Sequence, residues 1–306
     1  MKNKVKKKEI IRYLPVYLLI LPSLIYIFIN NYIPMGGIIV AFKQFSAKKG
    51  IWGSDWIGFK NFEYLLKGDA AVIIRNTICY NIVFIILNMV VGVALAILIT
   101  DVASSSLKKI YQSAILLPFL LSMVIVSYIV FAFLSGETGM INKGILEPLG
   151  KEPIMWYSNT KPWPFILTFV NLWKGVGYGT LIYIAGIAGI DKSLFEAAEL
   201  DGASRWQSIR NITLPGLKPS LITMTLLSVG KIFYSDFGLF YQVPQNSGAL
   251  YSVTDTVDTY VYRALMSSGG IGRSSAAGVI QSVVGFILVI ASNAIVNKIS
   301  KENALF

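Results

Sequence analysis

Asp191-Lys192-Ser193-Leu194-Phe195-Glu196-Ala197-Ala198-Glu199-Leu200-Asp201-Gly202-Ala203-Ser204-Arg205-Trp206, running on to Ile212-Thr213-Leu214-Pro215, is a polar island between two long apolar blocks. Ser193 stands where a helix N-cap is expected, and Glu196 three residues later completes a capping box. Leu194, Phe195, Ala198 and Leu200 follow on a short helix, and Gly202 marks its stop. A second short helix over Ser204 to Ile212 carries Trp206, Ile209 and Ile212 along one side. Pro215 opens the next apolar block, where a missing N–H costs little. Composition alone is equally served by a solvated turn that merely links two spans.

Outward from this island the apolar blocks set the architecture. A helix needs about 20 mostly apolar residues to cross the hydrocarbon core. Six blocks qualify: Leu14–Ile33, Ile73–Ile99, Ile110–Leu134, Trp163–Ile190, Leu217–Val243 and Ala276–Asn297. With 55% hydrophobic and only 14% charged residues, the 306-residue chain is far less charged than a soluble domain. The mean hydropathy of +0.63 agrees, and the expectation is an all-α integral membrane protein. The first block follows Lys2, Lys4, Lys6, Lys7 and Lys8, as a secretory signal would. It is long for that role and no small-residue cleavage site precedes Pro34-Met35-Gly36-Gly37, so it reads as a retained span.

Lys and Arg place the termini. With the N-terminus inside, segments 1–13, 101–109, 190–219 and 298–306 hold 14 Lys/Arg in 61 residues. Segments 34–75, 135–164 and 241–273 hold 11 in 105 residues, about half that density, as the positive-inside rule expects. Both termini are expected in the cytoplasm. The resulting division is a basic N-terminus at 1–13, a first span with its outside loop at 14–72, a five-span core at 73–297 with the loop 191–215, and a tail at 298–306. The net charge of +11 is explained by this bias and by anionic lipid near Lys2–Lys8, with no nucleic-acid partner.

Several chemistries are excluded outright. Histidine is absent and Cys79 is the single cysteine, which removes His-based nucleophile pairs, HExxH zinc helices and disulfides. No GxxxxGK[ST] occurs, so the chain carries no P-loop of its own. Neither a catalytic residue nor a metal ligand is expected.

The residue order of the island resembles the EAA motif of permease subunits of ABC importers. Glu196-Ala197-Ala198, three residues, Gly202, nine residues, Ile212, one residue and Leu214-Pro215 match its fixed positions before the penultimate span. The resemblance implies a coupling helix that docks on a separate ATPase. In that role Glu196 offers a carboxylate, Ala197 and Ala198 allow close approach, Gly202 permits the bend, and Asp201 and Ala203 support the turn. Leu214 and Pro215 close the motif. ATP and Mg are then held by the partner, and this chain binds no cofactor.

Ile38-Ile39-Val40-Ala41-Phe42-Lys43-Gln44-Phe45 and Gly50–Phe62 resemble the first outside loop of carbohydrate permeases. With Asp236-Phe237-Gly238-Leu239-Phe240-Tyr241-Gln242, the chain is similar to the LplB-type branch of the type I, MalF-like importers, with a MetI-like six-span fold. That likeness implies a bacterial cytoplasmic membrane, a second permease subunit, two ATPase subunits and an extracytoplasmic sugar-binding lipoprotein delivering oligosaccharide. It also implies a path around Asn171, Lys174, Gly175 and Tyr178 and the Ile232–Asp236 run, with Lys231, Phe233, Tyr234 and Asp236 completing the eight residues assigned to it.

Independently, Lys174, Lys231 and Asp236 lie inside apolar blocks, where each costs roughly 2.5–3.5 kcal/mol on insertion scales. Such residues face a cavity or a partner. Asn171, Trp173, Tyr178, Phe233, Tyr234 and Phe237 accompany them, and polar groups beside aromatic faces suit sugars. Two cations there suggest an acidic cargo, unless Asp236 neutralises Lys231 along one helix. Asn76, Asn81 and Asn88 read as interhelical glue, and Gly175, Gly177, Gly179, Gly186 and Gly189 as a packing seam. Pro22 and Pro118 read as kinks. Two alternatives stand: the same machine with a non-sugar cargo, and a membrane glycosyltransferase, for which Asp255 and Asp258 are the only close carboxylate pair.

Overall fold

A computed structural model describes residues 2–66, 70–266 and 270–299, and nearly all of its regular structure is helical. Side chains of the basic run Lys2–Lys8 and the tail residues 300–306 lie outside the described residues. The chain forms two compact units, Met1–Lys67 with Ala264–Val279, and Gly68–Arg263 with Ile280–Phe306.

In the first unit the helix Lys2–Ile27 continues into an apolar stretch, Tyr13–Phe42, long enough to cross a membrane. Its residues 13–36 are exposed, Leu19 by 79%, whereas Val40 and Ala41 at its end are buried. The sequence reading stops this span at Ile33, but the winding continues to Phe42. Pro34 falls at the first turn of a new helical segment, where its missing N–H is tolerated, and Gly36–Phe42 follows in tighter 3₁₀ turns. Beyond it Lys43–Gln44 pairs antiparallel with Asp55–Trp56, with Lys43 opposite Trp56. Phe42 stacks on Trp56 at 5.6 Å, and the Asn61 amide donates to the Ala41 and Lys43 carbonyls at 2.9 Å.

The second unit is a helical bundle. Ala70–Thr100 packs along Trp163–Ala188 through Val93, Ala96, Tyr183 and Ile187, joined by Leu217. Tyr80, Phe84, Val126, Trp163, Leu167 and Phe240 form a second apolar cluster. Of the glycine seam, Gly177 is the tight crossing, because a Cβ there would fall 2.0 Å from the Ile115 carbonyl oxygen. Gly179 meets nothing within 4 Å and plays no part in it.

Four described helical stretches are each long and apolar enough to span: Tyr13–Phe42, Ala70–Thr100, Trp163–Ala188 and Gly270–Lys298. Two bent pairs bring the number to six if each pair is one span. The third block is one of them: Ser105–Leu120 and Met123–Leu134 meet at 93° instead of forming a straight Ile110–Leu134 helix. Extended backbone at Leu121 and Ser122 makes the break, and the Ser122 hydroxyl accepts from Ile125 N to start the new helix. Pro118 lies two residues inside the first helix's end, so it marks a termination and not a kink within a continuous span.

Candidate functional site

The fifth block departs further from expectation. Its helix, Leu214–Gly230, ends thirteen residues short of Val243, and Lys231–Asp236 is unwound. The stop lies in close packing: a Cβ on Gly230 would meet Val289 Cγ2 at 2.4 Å, and one on Gly285 would meet the Gly230 oxygen at 2.8 Å. Lys231 and Asp236 therefore do not share a helix, and among the described residues no ion pair joins them. Asp236 instead accepts from Leu239 N at 3.1 Å and starts the next turn.

Unwound backbone in an apolar setting must find partners for its polar groups. Here side chains supply them. Asn81 Nδ2 donates to the Ile232 and Tyr234 carbonyls, both at 2.9 Å, and Gln281 Nε2 donates to Phe233 O at 2.8 Å. Asp258 Oδ2 accepts from Ser235 N at 2.6 Å and from its hydroxyl at 2.8 Å.

Against this segment lies a cavity of about 470 Å³. Asn171, Gly175, Tyr178, Lys231, Tyr234 and Asp236 line it, together with Asn81, Asn88, Ser228 and Ser235. Asn88 Nδ2 donates to Asn171 Oδ1 at 2.9 Å, while its own Oδ1 is buried without a partner. Lys231 is exposed into the space, and its ammonium has no hydrogen bond or ion pair among the described residues. The remaining two residues assigned to a path from sequence are elsewhere. Phe233 does not line the cavity. Lys174 turns to the 93° break, where its ammonium donates to the Phe119 and Leu121 carbonyls at 2.9 and 2.7 Å and reaches Pro118 O at 3.5 Å. That lysine closes a helix end. Trp173 packs against the apolar cluster, and Phe237 stacks on Tyr241.

Asp255 and Asp258, the carboxylate pair on which an enzyme reading would rest, are both committed. Asp255 is 6% exposed, pairs with Arg263 and accepts from Thr259 Oγ1 at 2.6 Å. Asp258 holds Ser235 as described, and Gln281 donates to its other oxygen at 3.3 Å. Asn76 ties its helix to the Asp255 carbonyl at 2.9 Å, so all three asparagines of the second block bond neighbouring elements.

The polar island folds as helix Lys192–Leu200, a turn, and a second helix. Asp191, not Ser193, is the N-cap, accepting from Ser193 N at 3.0 Å; those Ser193 bonds hold its carboxyl below the usual range. The capping box sits at the second helix, between Ser204 and Gln207. Gly202, at φ +72°, ends the first helix: Gly202 N bonds Glu199 O and Ala203 N bonds Ala198 O, a Schellman closure. A side chain at that φ would be strained. Arg205 pairs with Asp101 and so anchors the turn. Glu196 and Ala197 are exposed, as are Leu200 (89%) and Trp206 (68%), leaving apolar surface uncovered. The second helix does not end before Pro215. It passes through a widened turn at Ile209–Thr213, where Leu214 N bonds Ile209 O, into Leu214–Gly230, and the 55° bend falls further on, between Arg205–Gly216 and Lys218–Gly230.

Gln281 and Ser228 were not singled out from sequence, and Asp258 only as half of a carboxylate pair; Gln281, an amide inside the sixth apolar block, carried a signal. Asn142 is another: buried in the 135–160 loop, it bonds the Gly136 and Ile154 carbonyls and accepts from Trp156 Nε1.

Residues 88–301 match the family of binding-protein-dependent transport system inner membrane components. Protein LplB of Bacillus subtilis is 33% identical over 287 residues, covering 94% of this chain and 89% of that one. The polygalacturonan/rhamnogalacturonan transport system permease protein YteP of the same organism is also 33% identical, over 94% and 88%. Among solved structures, a bacterial ABC transporter involved in the import of the acidic polysaccharide alginate superposes with a TM-score of 0.86 at 30% identity, covering 96% of this chain and 98% of its counterpart. The same kind of transporter in complex with alginate pentasaccharide-bound periplasmic protein gives 0.85 at 29%. With 214 matched residues and this shared architecture, the chain belongs to the binding-protein-dependent inner membrane permeases of ABC importers.

Proposed function

We propose that this chain is one half of the membrane channel of an ATP-driven importer of acidic oligosaccharides. Its partners are a second permease subunit, two ATPase subunits that hold ATP and Mg, and an extracytoplasmic binding lipoprotein. The observation that carries the cargo reading is the cavity: amides of Asn81, Asn88 and Asn171 and the ring of Tyr178 surround an ammonium, Lys231, that no group among the described residues neutralises. A sugar's hydroxyls match the amides, its C–H face matches a ring, and a carboxylate matches the ammonium. The relatives named for polygalacturonan and alginate, both acidic, support the same choice.

The 191–215 loop is the coupling element, on the cytoplasmic side together with both termini. Exposed Leu200 and Trp206 supply the apolar contact for an ATPase cleft, and Glu196 the charge. Closure of the ATPases moves this loop, and the loop biases two packings of the bundle that open the cavity to either side. Outer loops 135–161 and 242–272 face the binding protein. The chain itself does no covalent chemistry.

Purification of the tagged complex from native membranes, with mass spectrometry of what accompanies it, tests the assembly. An ATPase, a second permease and a binding lipoprotein are expected; recovery of the chain alone after crosslinking from Ala198→Cys overturns the reading. In the reconstituted complex, Gly202→Val is expected to preserve insertion but abolish cargo-stimulated ATP hydrolysis. Normal transport by that variant would remove the coupling role.

A further inference from the structure

We propose that Gln281 and Asp258 are positioning residues for cargo: they set the wall of the cavity from behind without touching what passes through it. The inference rests on the reading of the cavity as the cargo path. Lys231, Tyr234, Ser235 and Asp236 all line that cavity, and all belong to a segment that, beyond single-turn backbone bonds at Lys231 N, Ile232 N and Tyr234 N, has no α-helical ladder to fix it. Its position is therefore set by whatever holds its backbone.

Two of the holders stand outside the cavity. Gln281, only 4% exposed, donates one bond to Phe233 O at 2.8 Å and a second to Asp258 Oδ1 at 3.3 Å. Asp258 grips Ser235 through both its amide and its hydroxyl, and Thr256 Oγ1 takes a further bond from that hydroxyl at 2.7 Å. One connected network thus reaches two consecutive linkages of the unwound chain. Networks of this kind hold a unique geometry when every member is satisfied, and release it when one is lost. Asn81 holds the segment from the other side, but it also lines the cavity, so its loss would mix cargo contact with position. Gln281 and Asp258 separate the two.

The complete importer complex in proteoliposomes provides the test, with Gln281→Met, close in length but unable to donate, and Asp258→Asn as the second variant. Hydrogen exchange is read over residues 231–236 and over 191–203, without cargo. Uptake of acidic oligosaccharide is read over a concentration series. Expected for Gln281→Met is exchange about tenfold faster in 231–236 with no acceleration in 191–203, from loss of the buried bonds that Gln281 donates. The half-saturating cargo concentration rises about tenfold while maximal ATP turnover stays within about twofold. Asp258→Asn shows the same pattern. Unchanged exchange in 231–236 overturns the proposal. So does equal acceleration in both regions with an unchanged half-saturating concentration, which is the mark of a general structural role. Absence of oligosaccharide uptake by the unaltered complex would refute the cargo reading alone, because the exchange experiment needs no cargo and still decides whether Gln281 and Asp258 hold the segment.

Discussion

At Leu121–Ser122 the chain turns through 93° within two residues, whereas Lys231–Asp236 stays unwound over a whole segment. Both breaks expose carbonyls inside a helical bundle, and a side chain from another helix answers each. At the first, a single ammonium, Lys174, serves the Pro118, Phe119 and Leu121 oxygens. At the second, neutral amides of Asn81 and Gln281 take the carbonyls, and the cation of that segment, Lys231, is left over. Two lysines that look alike in sequence, each set deep in an apolar block, thus have opposite duties. One is consumed in closing a helix end; the other is available to a ligand because amides did the closing.

Replacing the lysines separates these duties most sharply. Lys174→Leu takes the ammonium from the Phe119 and Leu121 carbonyls, while Pro118 O keeps its bond from Leu121 N, and a loss of about 3 kcal/mol of stability is expected, read as a large drop in the melting temperature of the detergent-solubilised complex. Lys174→Arg should retain most of it. Any uptake that survives should fall equally for acidic and neutral oligosaccharides; a selective loss of acidic cargo would move Lys174 into the path. Next in size, Gly230→Val drives a side chain into Val289 at the second break and should cost about 2 kcal/mol by the same melting assay. An unchanged melting point would mean that the helix end is not fixed by packing. Ser122→Ala removes the cap that restarts the chain after the first break, for about 1 kcal/mol. Smallest in stability, within about 0.5 kcal/mol, is Lys231→Gln. Its signature is instead functional: uptake of acidic oligosaccharide should fall about tenfold relative to neutral oligosaccharide. Equal losses for both cargoes would refute selection by charge.

Sequence made some of this legible. Apolar block lengths locate the spans because burial in lipid is a property of composition, and a break hardly changes composition. For the same reason the breaks themselves were hidden. Leu121 and Ile232 are as apolar as helical neighbours, and the side chains that close the breaks come from 23 to 153 positions away. In the 191–215 loop the glycine turn followed from a local rule, since only the backbone conformation at Gly202 matters. The cap was misplaced by two residues because Ser193 and Glu196 satisfy a spacing that Asp191 pre-empts with one bond to Ser193 N. Within the cavity, six of the eight residues assigned from sequence are lining. Lys174 and Phe233 are not, and which way a side chain points from a broken helix is not a periodic property that a sequence displays.

The widened turn at Ile209–Thr213 has a geometric consequence for the loop that precedes it. A hydrogen bond from Leu214 N to Ile209 O encloses one residue more than an ordinary helical turn. Each residue of an α-helix advances the winding by about 100°, so this surplus residue offsets the phase of Arg205–Ser208 against Leu214–Gly230. Removing Asn211 would restore regular winding and swing the 191–208 loop by about 100° around the axis, with each of its own side chains intact. The compass bearing of the loop is thus written in a count of residues, independent of the chemistry the loop carries.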